Sequence, residues 1–131
     1  MKYLVDANVL SETTKPQPAE QVVQWLRQHE AEIAIDPIIL GEIRLGILLL
    51  PSSHRRRKLE LWFGEFIETI HCLPWDAVTS LRWARLLAEL RTKGRSMPVK
   101  DSLIAATALV HGLTIVTRNV RDFSHSGLRG N

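Results

Sequence analysis

The sequence predicts a parallel α/β sheet with helices on both faces, and three observations predict it. Short, almost wholly apolar runs alternate with longer stretches of helical spacing, in the order strand then helix, repeated along the chain. The apolar runs leave no polar side to face water, as strands buried between two helical layers require. Pro, Gly and Ser punctuation falls between the two kinds of segment, where turns belong. Sandwich and barrel architectures are disfavoured.

Taken in order, Lys2 to Val5 is the first strand candidate and stops at Asp6-Ala7-Asn8. Lys15-Pro16-Gln17-Pro18 separates an N-terminal turn from a helix over Ala19 to Glu30, whose apolar positions are Val22, Val23, Trp25 and Leu26. Ile33-Ala34-Ile35 is the second strand, stopped by Asp36-Pro37, and a helix follows over Ile38 to Leu50. Pro51-Ser52-Ser53 breaks that helix from the next, His54 to Ile67. Thr69 to Leu73 is the third strand and ends at Pro74; Asp76 to Lys93 is a long helix closed by Gly94. Asp101 to His111 is the last helix, with Gly112 where a helix ends, and Leu113 to Thr117 is the last strand, ending at Arg118-Asn119.

A chain of 131 residues has room for one domain, residues 1–131, so fold and function share one core. With 45% hydrophobic and 24% charged residues it is globular rather than disordered. The lone Cys72 excludes an internal disulfide framework, and the histidines show no zinc-ligand spacing with it. No apolar run approaches a membrane span and no leader pattern opens the chain, so no membrane association and a cytoplasmic location are expected. The net charge of +3 alone identifies no partner, but its distribution is uneven. Residues 54–58 carry +4, and residues 82–100 carry +5 through Arg82, Arg85, Arg91, Lys93, Arg95 and Lys100 against Glu89. Arg91, Lys93 and Arg95 are candidate phosphate-facing cations of the second cluster, with Arg118 as a further phosphate contact. The four Trp residues fall mostly at apolar helical spacing and are expected in packing or an interface.

In open parallel sheets ligands bind beyond the carboxyl ends of the strands. Asp6 stands at the end of the first strand, and Asp122 follows the last strand by a short loop. Glu42 shares a helical stripe with Ile38, Leu45 and Leu49, and Asp101 shares one with Ile104, Ala105, Ala108 and Leu109. A carboxylate on an apolar face resists desolvation unless it is paired, protonated or bound to a cation. Each acid alone also has a structural reading as a helix cap, a dipole partner or half of an ion pair. Four converging on one sheet edge would repel one another, and a hard cation such as Mg²⁺ or Mn²⁺ is the economical remedy. Such a site suits phosphodiester hydrolysis. Asn8 and Thr117 are placed to orient the acids, though both also read as turn residues. Asp36 and Asp76 read as helix caps.

Four blocks carry a resemblance: Leu4-Val5-Asp6-Ala7-Asn8-Val9-Leu10-Ser11-Glu12, Ile39-Leu40-Gly41-Glu42-Ile43-Arg44-Leu45-Gly46-Ile47, Asp101-Ser102-Leu103-Ile104-Ala105-Ala106-Thr107-Ala108 and Val116-Thr117-Arg118-Asn119-Val120-Arg121-Asp122-Phe123. In this order and spacing the chain resembles the PIN-domain ribonuclease toxins of the VapC type, in the FitB-like branch. The resemblance implies a three-layer α/β/α fold with a central parallel sheet of four to five strands. It also implies a Mg²⁺- or Mn²⁺-dependent endoribonuclease that blocks translation, with Asp6, Glu42 and Asp101 as the principal metal-binding acids. Only through this resemblance do Arg91, Lys93, Arg95 and Arg118 become RNA-binding candidates. Relatives often carry a fourth acid directly after Thr-Arg, where this chain has Asn119; either Asn119 as a neutral ligand or Asp122 completes the set. The tail also departs, ending at Gly130-Asn131 where relatives commonly continue.

The same resemblance implies a homodimer, and a complex with a VapB- or FitA-like antitoxin that binds operator DNA through the antitoxin. Two rival readings stand beside it. One is a catalytically silent PIN-like binding module that partners an antitoxin or a DNA-binding complex. The other is a phosphatase or receiver-like domain, which also ends its first strand on an Asp; but the phosphatase pattern wants a second Asp where this chain has Asn8, and no late-strand Lys suits a receiver.

Overall fold

Tyr3-Leu4-Val5 forms the first strand, β1, and apolar side chains on both of its faces make it a central one. The computed structural model describes residues 1–118 and Phe123. Within them β1, β2 (Ile33–Ile35), β3 (His71–Cys72) and β4 (Thr114–Val116) form one parallel sheet in the order β3-β2-β1-β4. Leu4 lies in register with Ala34 on one side and Ile115 on the other.

Helices make every crossover, as parallel strands require. Between β1 and β2 lie the short helix α1 (Ala7–Leu10), a 3₁₀ turn (Ser11–Thr14) and α2 (Glu20–Gln28); between β2 and β3 lie α3 (Pro37–Leu48) and α4 (His54–Thr69); between β3 and β4 lie α5 (Ala77–Thr92) and α6 (Val99–His111). These helices flank the sheet. Their ends are written in the sequence. Asp36 caps α3 by accepting the Ile39 N–H (2.9 Å) with Pro37 in the first turn, Ser53 caps α4 through the Arg56 N–H (3.1 Å), and Asp76 caps α5 through Thr79. Gly112, at φ +65°, ends α6 in the left-handed region. The core runs through Leu4, Val5, Ile35, Ile39, Ile104 and Ile115, and Phe123 packs into it.

Two local expectations change. The third strand shrinks from Thr69–Leu73 to His71–Cys72 because α4 continues to Thr69 and closes with the Ile70 N–H on the Phe66 carbonyl (2.9 Å). On α3 the buried stripe is Ile39, Ile43 and Ile47, whereas Leu45 and Leu49 are 55% and 74% exposed. That helix is apolar nearly all round, so spacing alone leaves its phase open; the Asp36 cap and the packing of the Ile stripe fix it. No helix among the described residues is long and apolar enough to cross a membrane.

Candidate active site

The strand order places β1 between β2, which follows it in the chain, and β4, which ends the sheet. The β1–β4 boundary is therefore a topological switch point, where the carboxyl ends of the strands leave a crevice. Asp6 directly follows β1 and is 5% exposed. Its Oδ1 accepts the Ala7 N–H (2.8 Å) and its Oδ2 accepts the Thr117 hydroxyl (2.9 Å), so the residue after β4 holds the residue after β1 across that crevice.

Glu42 projects from α3 with its side chain 22% exposed, between the buried Ile stripe and solvent rather than on the core face that sequence spacing gave it. Its Oε2 lies 2.7 Å from the Lys100 ammonium, and its buried Oε1 has no hydrogen-bond partner among the described residues. Asp101, 3% exposed, sits in the first turn of α6, where unpaired backbone N–H groups favour a carboxylate. The neighbouring Trp83 indole N–H donates to the Ser102 hydroxyl (2.9 Å), which donates to the Val99 carbonyl (2.5 Å), fixing this first turn against α5.

The Lys100 ammonium contacts Glu42 and lies within electrostatic reach of Asp101 and Asp6. Its pKa is raised, first by the hydrogen bond to Glu42 and further by the charges of Glu42, Asp101 and Asp6, against the opposing effect of burial. Acids from β1, α3 and α6 thus act on one cation at the sheet's carboxyl edge. The donors are all hard oxygens, one of them an orphaned buried carboxylate oxygen, and that set fits Mg²⁺ or Mn²⁺. Among the described residues no three of these groups stand close enough to hold one ion between them. Carboxylates repel one another unless counter-charge lies between them, which favours their standing apart.

The remaining expected residues divide in three ways. Asn8 is exposed on α1 and lines a groove that begins at Glu42. Arg91, Lys93 and Arg95 are exposed at the end of α5 and in the loop that leads to α6 and Asp101. Arg118 pairs with Glu12, which engages the guanidinium that sequence alone left open for phosphate. Asn119 and Asp122 lie outside the described residues.

Three polar residues carry more than their local sequence signals. Glu12 is 3% exposed, accepts the Ala19 N–H (2.8 Å) and pairs with Lys15 (3.0 Å) and Arg118. The Ala19 N–H first, then Lys15 and Arg118, lower its pKa to about 2. Asp36 is a cap, as expected, but it is also fully buried and its Oδ2 accepts the Thr107 hydroxyl of α6 (2.7 Å). Burial raises its pKa, and the Ile39 and Thr107 hydrogen bonds oppose that rise. Lys100 was counted in the basic cluster of residues 82–100, but its contact with Glu42 was not legible, because it joins residues far apart in sequence.

The PIN domain family model matches residues 3–126. The chain is 33% identical over 132 residues to the VapC ribonuclease Y4jK of Sinorhizobium fredii, covering 95% of this chain and 92% of that protein. It is 34% identical over 124 residues to toxin FitB of Neisseria gonorrhoeae, covering 92% and 89%. Among solved structures, FitAB bound to the IR36 DNA fragment superposes with a TM-score of 0.91 at 29% identity, covering 98% of this chain and 93% of that one. With the parallel sheet, the switch-point acids and these matches in agreement, the chain belongs to the PIN-domain family, among the VapC and FitB proteins.

Proposed function

We propose that this protein is a divalent-metal-dependent endoribonuclease, the toxin of a toxin–antitoxin pair, acting on cytoplasmic RNA to block translation. What supports this reading is the Lys100 ammonium, 2.7 Å from Glu42 Oε2 and within electrostatic reach of Asp6, buried directly after β1, and of Asp101, buried in the first turn of α6. The ribonuclease and toxin relatives supply the reaction class. A bound Mg²⁺ or Mn²⁺ would supply an activated water and neutralise charge growing on a phosphoryl oxygen.

This chain's own residues do the rest. Thr117 and the Ala7 N–H hold Asp6 in one orientation, leaving it no freedom to swing away from the crevice. The first turn of α6 fixes Asp101, and the orphaned Oε1 of Glu42 is the acceptor that awaits a ligand. Asn119 or Asp122 completes the set in this reading. Arg91, Lys93 and Arg95 offer an exposed basic approach for the RNA backbone.

For partners, we assign an antitoxin of the VapB or FitA kind, through which the complex binds operator DNA; the DNA-bound FitAB structure supports this. An apolar groove of about 670 Å³ between α2 and α4, walled by Val23, Leu26, Trp62 and Phe66, is its docking place in this reading. Incubation of total RNA with the purified, antitoxin-free protein tests the nuclease assignment. Cleavage should appear with Mg²⁺ or Mn²⁺ and vanish in EDTA; full activity in EDTA would refute it.

One observation favours the silent-module alternative: no three acids among the described residues are gathered at ion-sharing distance. Calorimetry separates the two readings, because a silent module takes up no Mn²⁺ and the nuclease does.

A further inference from the structure

Glu42 also forms one end of a second groove, about 240 Å³, between α1, α3 and α4. We propose that this groove is an RNA subsite for a nucleotide flanking the scissile phosphate, with the base against Leu59 and Trp62 and the adjoining phosphate on Arg55. The proposal rests on the ribonuclease reading and deepens it by placing the strand.

Three observations carry it. The first is continuity: the groove begins at a candidate metal-binding acid and runs toward the +4 cluster of residues 54–58. The second is Gly46. On α3, Glu42 and Gly46 lie one turn apart on the stripe that faces the groove, so a side chain at 46 would stand in it. Gly46 has no positive φ, and a Cβ built there meets nothing within 4 Å. Gly41 and Gly64 are likewise mid-helix with nothing within 4 Å, so what sets Gly46 apart is its place on the groove wall, at a helix position where glycine costs about 1 kcal/mol relative to alanine. Open space beside Glu42 is what it provides.

The third is Arg55. It is exposed in the first turn of α4, at the positive end of a helix beside Arg56, Arg57 and Lys58, where a cation is electrostatically unfavourable. Among the described residues it has no hydrogen-bond or ion-pair partner, whereas Arg56 is engaged by Glu60 and the Leu50 carbonyl and Lys15 by Glu12. A cation held at that cost is set for an external anion. The apolar wall at Leu59 and Trp62 with a cation at its far end matches the alternation of base and phosphate in a single strand. An apolar peptide would leave Arg55 without a role.

Binding of a fluorescein-labelled single-stranded RNA of about 12 nucleotides, within the usual range of site sizes, tests the groove by anisotropy. Ca²⁺ replaces Mg²⁺ so that the acids are neutralised at longer metal–oxygen distances. Gly46→Leu should weaken binding by roughly fivefold to a hundredfold, the worth of one stacked base. Its melting temperature should stay at or above that of the wild type, because leucine is the better helix former. Arg55→Gln, an exposed change that spares the fold, should flatten the salt dependence of binding by about 0.7 in log–log slope, one phosphate on a single strand. Unchanged affinity in Gly46→Leu, or an unchanged slope in Arg55→Gln, overturns the proposal. Binding that depends on both residues in a protein that cleaves no RNA with Mn²⁺ would keep the groove and refute the nuclease.

Discussion

In the proposed site, Lys100 and Glu42 form the contact at which a metal ion would compete with the protein for one oxygen. The ammonium lies 2.7 Å from Oε2 and feels the charges of Asp6 and Asp101 as well, so a divalent ion entering among these acids meets a resident positive charge. Lys100→Gln is expected to tighten Mn²⁺ binding by roughly thirtyfold, about 2 kcal/mol, the water limit of Coulomb's law for a divalent ion and a single charge at about 4 Å. Calorimetry reads this; equal or weaker affinity in the variant would contradict it. Glu12 offers a pH test. Its pKa lies at about 2 against an ordinary 4.5, so its pairing stabilises the fold fully above 4.5 and is lost as pH falls through 2. Glu12→Gln should lower the melting temperature at neutral pH, and the gap to wild type should close over that acid window. Asp36 has the opposite sign: burial raises its pKa above 3.8, so its charged form costs stability increasingly as pH rises past that value. Asp36→Asn should therefore gain most relative to wild type at neutral pH, while Asp36→Ala should lose about 1 kcal/mol with the cap, both read by urea unfolding. Asp6 and Asp101 were legible in sequence because a strand end and a helix stripe locate them. The Asp36–Thr107 contact was not, since it joins residues 71 apart and only the tertiary fold brings them together.

At the scale of elements, α3 and α6 carry Glu42 and Asp101, and the Asp36–Thr107 hydrogen bond ties one helix to the other. Their boundaries were readable from Asp36-Pro37 and Gly112, residues whose conformational preferences are strong. The phase of α3 was not, because an apolar residue is available on almost every side and only packing selects among them. That selection leaves Leu45, Leu48 and Leu49 exposed at 55%, 48% and 74% on a face apart from the groove stripe. Side chains of this kind clustered on one helix suit an interface, and an interface between two copies of this chain is the expectation to test. Replacing Leu45 and Leu49 by Lys should turn a dimer into a monomer in analytical ultracentrifugation without lowering the melting temperature, since neither side chain is in the core. A dimer that survives the double change would place the interface elsewhere.

Across the whole molecule, strand order and charge distribution serve the same edge. Parallel strands send every carboxyl end to one side, and the reversal of strand order at β1 opens the crevice that Asp6 and Thr117 border. The parallel sheet followed from alternating apolar runs and helical spacing; the strand order did not, because the packing of the crossover helices selects it. The modest +3 also gains meaning, because Asp6, Glu12, Asp36 and Asp101 are buried and leave an outer surface more basic than the sum, with Arg55, Arg57, Lys58, Arg91, Lys93 and Arg95 all exposed. The account stands most directly on whether the acids that meet at Lys100 perform RNA hydrolysis. The deciding measurement is the rate of RNA cleavage in Mn²⁺ by the wild type and by Asp101→Asn, with circular dichroism showing both folded. The account predicts a loss of at least about a hundredfold, the worth of a few kcal/mol of metal-derived transition-state stabilisation. A folded Asp101→Asn protein that cleaves at the wild-type rate would contradict it.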